Sequence, residues 1–293
     1  MERLRNYLRD MSVAQGLRWY CRTYDQSRNE SSYSGSQPFY LASCGKSIFG
    51  FLVFQLLLHE KTLKEKFHHY QMKHNLLGDT LAIEDLLSHR TNLLDYLDRY
   101  DVNHGKLVEE IVAEFFSGKE IKISNRYTYS NTNYVVLYDF LATSFDVPEL
   151  LETLNSSISE RFVFLSDQSI ISYDRSLVTR EMIAKKNQVR GDGGIFLDPL
   201  QETNSNPAFM QKVASMFEQN RDTFENAASV VDEDTIYSFG VFRKTINATR
   251  FYFHSGFYHS NISYWVSRQD GVGCLMCVNH ENIDKSEIDK IVF

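Results

Sequence analysis

The sequence is poor in cysteine, has no long apolar run and carries no excess of positive charge. Four cysteines in 293 residues are too few for a disulfide scaffold. The longest apolar stretch, Ile48 to Leu58, is shorter than the roughly 20 residues of a membrane-spanning helix, and it predicts a buried core helix. A net charge of -7, without a long cluster of lysine or arginine, argues against nucleic-acid and membrane partners. We therefore expect a small molecule or a peptide as the substrate.

The amino terminus, Met1 to Asp10, lacks the apolar segment that a secretory signal requires. We therefore expect a cytoplasmic protein, in which the cysteines stay reduced. Hydrophobic residues make up 43% of the chain, which is enough for the core of one large domain. The sequence does not predict an oligomeric state.

Two clusters of possible metal ligands are incomplete. Cys274 and Cys277 form a C-x-x-C pattern, but they lie in a predicted strand, where residues three apart point to opposite faces. His68, His69 and His74 have no nearby carboxylate or cysteine at a convincing ligand spacing, which favours a solvated connecting segment. We expect packed core thiols in the first case, and no metal or cofactor in either.

The predicted elements follow the order β, then α, then β. Alternating aromatic residues predict a strand at 14–25, followed by a polar loop or hairpin connection at 26–37. Residues 38–42 predict a short strand or an extended entry to the next helix. Apolar residues at helical spacing predict the helices 47–60, 82–88, 105–117, 131–144 and 208–220. The last predicted elements are strands at 235–244, 249–255, 261–268 and 273–279, and a short helix from Lys285.

Short connections between the last four strands predict an antiparallel meander, because a parallel pair needs a longer crossover. The amino-terminal strands can join this meander in one sheet, with the helical region inserted beside it. We therefore expect an α+β fold with an antiparallel sheet flanked by helices. The prediction is a single domain over 1–293, with an α/β part at about 1–45 and 235–293 and a helical part at about 46–234.

A serine and a lysine at the start of the first long helix suggest covalent chemistry. Lys46 follows Ser43 by three positions, so a helix would place both side chains on the same face. A serine hydroxyl becomes a nucleophile when a positioned base takes its proton, and an amine within hydrogen-bond reach can assist. The alternative is a helix start with a solvated lysine.

Further motifs follow Ser43 in the order of one known family. The segments are Ser43-Cys-Gly-Lys46, Tyr129-Ser-Asn131 and His254-Ser-Gly256, supported by Asp85–Leu93 and Gly193–Ile195. Together they resemble the motifs of the serine β-lactamase and penicillin-binding protein superfamily. The branch they resemble contains class C β-lactamases, D-alanyl-D-alanine carboxypeptidases and related esterases. The resemblance implies a β-lactamase/transpeptidase-like fold and a serine hydrolase that cleaves an amide or an ester.

The resemblance also gives each motif a role. Ser43 would form an acyl-enzyme, with Lys46 and Tyr129 as a coupled base. The expected substrate-binding residues are Asn131, His254 and Ser255, and the backbone amides of Ser43 and Phe257 would form the oxyanion hole. A structural hydrogen bond is the alternative role for His254, and a helix N-cap is a second role for Asn131.

The third motif departs from the family pattern. His254 stands where many relatives have lysine, and the segment from Phe257 to Asn261 replaces the usual glycines. Bulky side chains would narrow the cleft, and histidine attracts a substrate carboxylate less strongly than lysine does. We therefore expect substrates other than ordinary penicillins. An acyltransferase that uses the same intermediate, and a non-catalytic binding protein on the same fold, are the alternatives.

Overall fold

An antiparallel sheet of eight strands organises this computed structural model. The structure describes residues 6–7, 9–10, 18–25, 29–34, 38–74, 81–95, 112–113, 121–164, 195–201, 206–258 and 261–279. Within them the strands are β1 Arg18–Tyr24, β2 Asn29–Ser34, β3 Phe39–Tyr40, β4 Arg161–Phe164, β5 Ile195–Asp198, β6 Ser229–Val230, β7 Thr235–Ser238, β8 Val241–Ile246, β9 Thr249–Tyr258, β10 Asn261–Arg268 and β11 Gly273–Asn279. The helices are α1 Gly45–His59, α2 Leu63–Lys73, α3 Ile83–Leu87, α4 Asn131–Ser144, α5 Val147–Asn155, α6 Phe209–Gln219 and α7 Arg221–Ala227.

The strand order of the large sheet is β2-β1-β11-β10-β9-β8-β7-β6. Strand β1 pairs antiparallel with β11 along its whole length, so the amino-terminal hairpin extends the carboxy-terminal meander. A second sheet of three strands has the order β3-β5-β4, and its strand β3 leads directly into the segment that carries Ser43. The predicted fold class, an antiparallel sheet flanked by helices, is confirmed.

The two faces of the large sheet contribute to separate hydrophobic clusters. Trp265 and Cys277 belong to the main core, which also contains the helices. Cys274 and Met276 belong to a smaller cluster. The expectation that Cys274 and Cys277 are buried on opposite faces is therefore confirmed.

Helix α1 is the central helix of the main core. Its first ten residues, Gly45 to Phe54, are all buried. The segment Ala42–His59 is apolar and long enough to cross a membrane, but 67% of that window is buried inside the fold. The predicted core helix is confirmed, and it holds the segment before it firmly against the sheet. Gly50 permits this packing, since a Cβ there would lie 1.9 Å from the carbonyl oxygen of Phe239.

Several short elements differ from the prediction. The histidine-rich segment forms helix α2 instead of a solvated connection, because Leu63, Phe67 and Tyr70 pack inward while His68 and His69 stay exposed. The strand predicted at 235–244 is interrupted at Phe239 and Gly240, where φ is 49° and 76°. Strand β2 pairs with β1, as the hairpin alternative for 26–37 predicted, and the further elements that the sequence did not predict are α5, α7, β4, β5 and β6.

Three predicted features fall outside the described residues. They are the helix at 105–117 apart from residues 112–113, the glycine turn at 193–194 and the helix from Lys285. The division into an α/β part and a helical part stays a prediction.

Candidate active site

Ser43 lies on a single 3₁₀ turn, Ala42–Cys44, between strand β3 and helix α1. Ala42 has φ of 46°, in the left-handed region that residues with a Cβ rarely adopt. Such backbone strain persists where the surroundings fix it, and it is frequent at functional sites. Ser43 thus stands on a sharply bent segment that the buried helix α1 holds in place.

Lys46 lies one turn beyond Ser43 on the same side of the helix, as the spacing predicted. Its Nζ donates hydrogen bonds to Ser43 Oγ at 3.2 Å and to Asn131 Oδ1 at 2.8 Å. The side chain is fully buried. The alternative of a solvated lysine at a helix start is therefore wrong.

Tyr129 completes the contact with the serine. Its hydroxyl lies 2.9 Å from Ser43 Oγ, and it donates to Asn131 Oδ1 at 3.1 Å. Either hydroxyl can be the donor in the contact with Ser43, so the serine is within reach to pass its proton to the tyrosine oxygen.

Asn131 is the first residue of helix α4, and Ser130 is its N-cap. The expectation that Asn131 itself is the N-cap is therefore wrong by one position. Its side chain turns toward the site, where its oxygen accepts from Lys46 and Tyr129. Its amide nitrogen donates to Asp95 Oδ2 at 2.8 Å. Asp95 belongs to none of the sequence motifs, although it lies two residues beyond the family-like segment Asp85–Leu93.

His89 contacts the start of helix α4 and the ring of Tyr129. Its Nδ1 accepts from the backbone nitrogen of Ser130 at 3.3 Å and lies 3.0 Å from Asn133 Nδ2. Its ring packs against Tyr129, with centroids 4.7 Å apart. Burial lowers the pKa of His89 well below its usual value, and the charges of Lys46 and His254 lower it further. His89 is therefore a neutral histidine near neutral pH, and it acts as a hydrogen-bond acceptor at the start of helix α4.

Three further tyrosines surround this histidine, and they differ from Tyr129 in exposure. Burial raises the pKa of Tyr127, Tyr134 and Tyr237 above the ordinary value of a phenol. They therefore stay protonated. Tyr129, in contrast, is 38% exposed and is the tyrosine of this group that contacts Ser43 directly.

His254 lies on strand β9, beside the turn that carries Ser43. Its side chain is buried, with Nδ1 donating to the Ser255 carbonyl oxygen at 2.8 Å and Nε2 at 3.4 Å from the Tyr237 hydroxyl. These contacts favour the structural alternative for His254, although the residue also borders the cavity described below. Ser255 borders the same cavity and stays a predicted substrate-binding residue.

Gly256 allows strand β9 to approach the nucleophile. A Cβ at this position would lie 2.3 Å from the Leu41 carbonyl oxygen and 2.9 Å from the Cys44 nitrogen. Any larger residue would push the strand away from the turn. Phe257 follows at the rim, where its side chain is 70% exposed, and the backbone amides of Ser43 and Phe257 stay the predicted oxyanion donors.

A cavity of about 330 Å³ opens beside Ser43. Its described lining residues are Ser43, Tyr127, Tyr129, Phe242, His254, Ser255, Gly256, Phe257, Ile262 and Tyr264. None of these is lysine, arginine, aspartate or glutamate. Phe257 therefore leaves room for a ligand beside Ser43, and together with Phe242 and Tyr264 it gives the cavity aromatic surface.

Comparisons with known proteins agree with this geometry. The Beta-lactamase family model matches residues 12–154, which include Ser43, Lys46, Tyr129 and Asn131. This match supports the predicted resemblance to the serine β-lactamase and penicillin-binding protein superfamily. The closer relationship of the chain to the class C branch stays a prediction. A comparison with curated protein sequences gives no match.

Solved structures share the fold along almost the whole chain. The D-amino acid amidase from Ochrobactrum anthropi SV3 has a TM-score of 0.69 at 16% identity, covering 98% of each chain. The D-stereospecific amidohydrolase from Streptomyces sp. has a TM-score of 0.67 at 13% identity, covering 98% of this chain and 97% of the other. The penicillin binding protein from Bacillus halodurans has a TM-score of 0.65 at 15% identity, covering 98% of each chain. Identities this low establish the shared fold and leave the reaction to the site.

Proposed function

We propose that this protein is a serine hydrolase that cleaves an amide or an ester through an acyl-enzyme on Ser43. The observation that carries the proposal is the environment of one oxygen atom. Ser43 Oγ lies within hydrogen-bond distance of both Lys46 Nζ and the Tyr129 hydroxyl, and it borders an open cavity. A hydroxyl with two potential proton partners and access to a ligand fits the requirements of a nucleophile.

The reaction divides into two transfers of the acyl group. In the first, the coupled pair of Lys46 and Tyr129, carrying one proton fewer than its full complement, takes the Ser43 proton as Oγ bonds to the carbonyl carbon. The backbone amides of Ser43 and Phe257 stabilise the negative oxygen, and the pair returns the proton to the leaving amine or alcohol as that bond breaks. In the second, water repeats the attack on the acyl carbon, and Ser43 regains its proton.

The lining of the cavity supports a neutral, apolar acyl group. Among the described lining residues there is no fixed charge to pair with a substrate carboxylate, and Phe242, Phe257 and Tyr264 supply aromatic surface. The buried His254 replaces the exposed cation that would attract a carboxylate. Two of the structural neighbours are named for D-stereospecific amide hydrolysis, which makes aromatic D-amino acid amides the first substrates to test.

Covalent labelling tests the nucleophile. The purified protein is treated with a fluorophosphonate and its intact mass is measured, together with Ser43→Ala and Ser215→Ala. Ser215 is an exposed helical serine three residues after Lys212, so it has a lysine at the same separation, in the reverse order, away from the site. We expect one adduct on the wild type and on Ser215→Ala, and none on Ser43→Ala. An adduct that persists in Ser43→Ala, or an unlabelled wild type, would contradict the proposal.

A product assay tests the substrate class and the acyl acceptor. The probes are an aromatic D-amino acid amide, a neutral aryl ester and benzylpenicillin, each with and without an added amine. We expect the neutral probes to be hydrolysed faster than the penicillin. Efficient penicillin turnover would contradict the neutral substrate class. If the added amine takes up most of the acyl group, the protein is an acyltransferase instead of a hydrolase.

A further inference from the structure

One carboxylate oxygen, Asp95 Oδ2, binds Asn131 at two places. It accepts from the Asn131 side-chain nitrogen at 2.8 Å and from the Asn131 backbone nitrogen at 3.0 Å. The two residues are 36 positions apart in the sequence, so the contact depends on the tertiary fold. Asp95 touches neither Ser43 nor the cavity lining among the contacts of the described residues.

The side-chain contact fixes the orientation of the Asn131 amide. An asparagine side chain has an acceptor oxygen and a donor nitrogen of nearly equal size, so it can rotate by half a turn without a change of shape. A carboxylate accepts hydrogen bonds, and Asp95 therefore holds the nitrogen on its own side. Asn131 Oδ1 is then left to accept from Lys46 at 2.8 Å and from Tyr129 at 3.1 Å. A rotated amide would direct donors against donors at both contacts.

The backbone contact fixes the position of the same residue. Asn131 begins helix α4, and within the described structure its N-cap Ser130 makes no capping hydrogen bond with its side chain. Asp95 supplies an acceptor for one of the free backbone N–H groups at this end, where a negative charge is also favourable. Asp95 thus holds Asn131 by both its backbone nitrogen and its side-chain nitrogen.

From these contacts we propose that Asp95 is a positioning residue. It orients Asn131, and through Asn131 it positions Lys46 and Tyr129. The inference rests on the proposed function, because the oriented Asn131 oxygen holds Lys46 and Tyr129 against Ser43. It goes beyond the motifs of the sequence, none of which contains Asp95. The chemical class of the contact is a charge-assisted hydrogen bond, which is shorter and stronger than a neutral one.

The rate of Ser43 labelling by the fluorophosphonate measures this effect. We expect Asp95→Ala to slow labelling about 100-fold, the scale of a misplaced catalytic group. Asp95→Asn should stay within about 10-fold of the wild type, because its amide oxygen can still accept from both Asn131 nitrogens. The matched control is Asp146→Ala, which removes the carboxylate that caps helix α5 through the Glu149 nitrogen at 3.1 Å. Its labelling rate should stay within about 2-fold.

A double variant separates positioning from a general loss of stability. If Asp95 acts through the Asn131 amide, Asp95→Ala should slow labelling by less than about 3-fold when Asn131 is already alanine. If the two losses instead multiply, or if Asp95→Ala labels as fast as the wild type, the inference is wrong. Thermal unfolding identifies any variant that fails to fold. If Asp95→Ala fails to fold, the labelling rate of Asp95→Asn is compared with that of the wild type, with and without Asn131→Ala.

A second readout needs no catalysis. The side-chain amide signal of Asn131 in the ¹⁵N NMR spectrum, assigned by its loss in Asn131→Asp, should shift in Asp95→Asn and stay in place in Asp146→Ala. If the wild type does not react with the fluorophosphonate but the NMR signal shifts, the proposed function is contradicted and the Asp95 contact is established. If the wild type reacts but its Asn131 signal does not respond to Asp95→Asn, the inference alone is contradicted.

Discussion

Lys46 and Arg22 are both buried basic side chains, but their surroundings differ in charge. Neither side chain is exposed to solvent. Arg22 Nε lies 3.8 Å from the Glu160 carboxylate, whose other oxygen accepts from the Phe209 backbone nitrogen at 2.7 Å. Within the part of the chain that is described, Lys46 has no carboxylate at ion-pair distance. It donates to the neutral oxygens of Ser43 and Asn131.

The charge of the partners separates Arg22, a structural group, from Lys46, the proposed reactive group. A charge that faces an opposite charge in the interior is held in its ionised form, because neutralising it would leave its partner unpaired. Lys46 instead faces neutral oxygens, so among the described residues its charge has no opposite charge to hold it in place. The faces of the Tyr129 and Tyr134 rings, with centroids 5.3 and 5.5 Å from Lys46 Nζ, add to this neutral setting. Burial alone therefore does not distinguish the proposed catalytic base from the structural charge, whereas the charge of their partners does.

Replacing Lys46, the proposed catalytic base, should affect the reaction far more than the stability of the fold. We expect Lys46→Met to slow Ser43 labelling by about 1,000-fold, within the range for loss of a proton-transfer group. The free energy of unfolding should change by less than about 1.5 kcal/mol, since methionine fills a similar volume. Ser43 Oγ and Asn131 Oδ1 also keep their contacts with Tyr129. Labelling kinetics measure the expected loss of rate, and urea unfolding measures the free energy of unfolding. A large loss of stability with a normal labelling rate would mean that Lys46 is the structural group.

Replacing the structural base should have the opposite result. We expect Arg22→Met to lower the free energy of unfolding by about 3 kcal/mol, because it leaves Glu160 buried without its charge partner. Burial raises the pKa of Glu160 and Arg22 opposes that rise, so the variant should also favour the neutral carboxyl group. The labelling rate of the folded fraction should stay within about 2-fold of the wild type.

A double variant checks the cause of that loss. Arg22→Met combined with Glu160→Gln should recover part of the stability in urea unfolding, because the unpaired carboxylate is removed. If the double variant is less stable than Arg22→Met, the ion pair is not the source of the effect. A fall in labelling by Arg22→Met would place Arg22 among the groups that support the reaction.

Local spacing explains which parts of the site could be predicted. Ser43 and Lys46 are one helical turn apart, and Tyr129 and Asn131 are separated by one residue, so each pair forms a short motif. Asp95 lies outside every motif, and His89 lies in the family-like segment Asp85–Leu93, which did not predict its contacts. They act by accepting hydrogen bonds from residues about forty positions away, and an isolated aspartate or histidine in the sequence does not show which amide it will meet.

The fold was predictable where connections are short and apolar residues alternate. Strands β10 and β11 match their predicted bounds for this reason. The small sheet was missed because β4 and β5 contain only four residues each, too few for a clear alternation. Helix α2 was missed because its apolar residues, Leu63, Phe67 and Tyr70, are outnumbered by charged residues and histidines on its exposed side.

A third buried base, His89, sharpens the comparison because it is held in its neutral form. Burial lowers its pKa in the folded protein, whereas an unfolded chain has a histidine pKa of about 6.5. Below that pH the unfolded state binds a proton that the folded state does not, so stability falls as the pH falls. Above it neither state binds the proton, and the full stability is present. The contribution of His89 should therefore be lost at up to about 1.4 kcal/mol per pH unit below pH 6.5.

Urea unfolding between about pH 7 and about pH 5 measures this slope. We expect His89→Gln to be less stable near pH 7 but to lose stability less steeply on acidification, because it has removed the titrating group. His68→Gln is the matched control, since His68 is exposed on helix α2 and should leave the slope of the wild type unchanged. Equal slopes for the wild type and His89→Gln would mean that His89 takes up its proton within the folded site. In that case burial would not hold His89 in its neutral form.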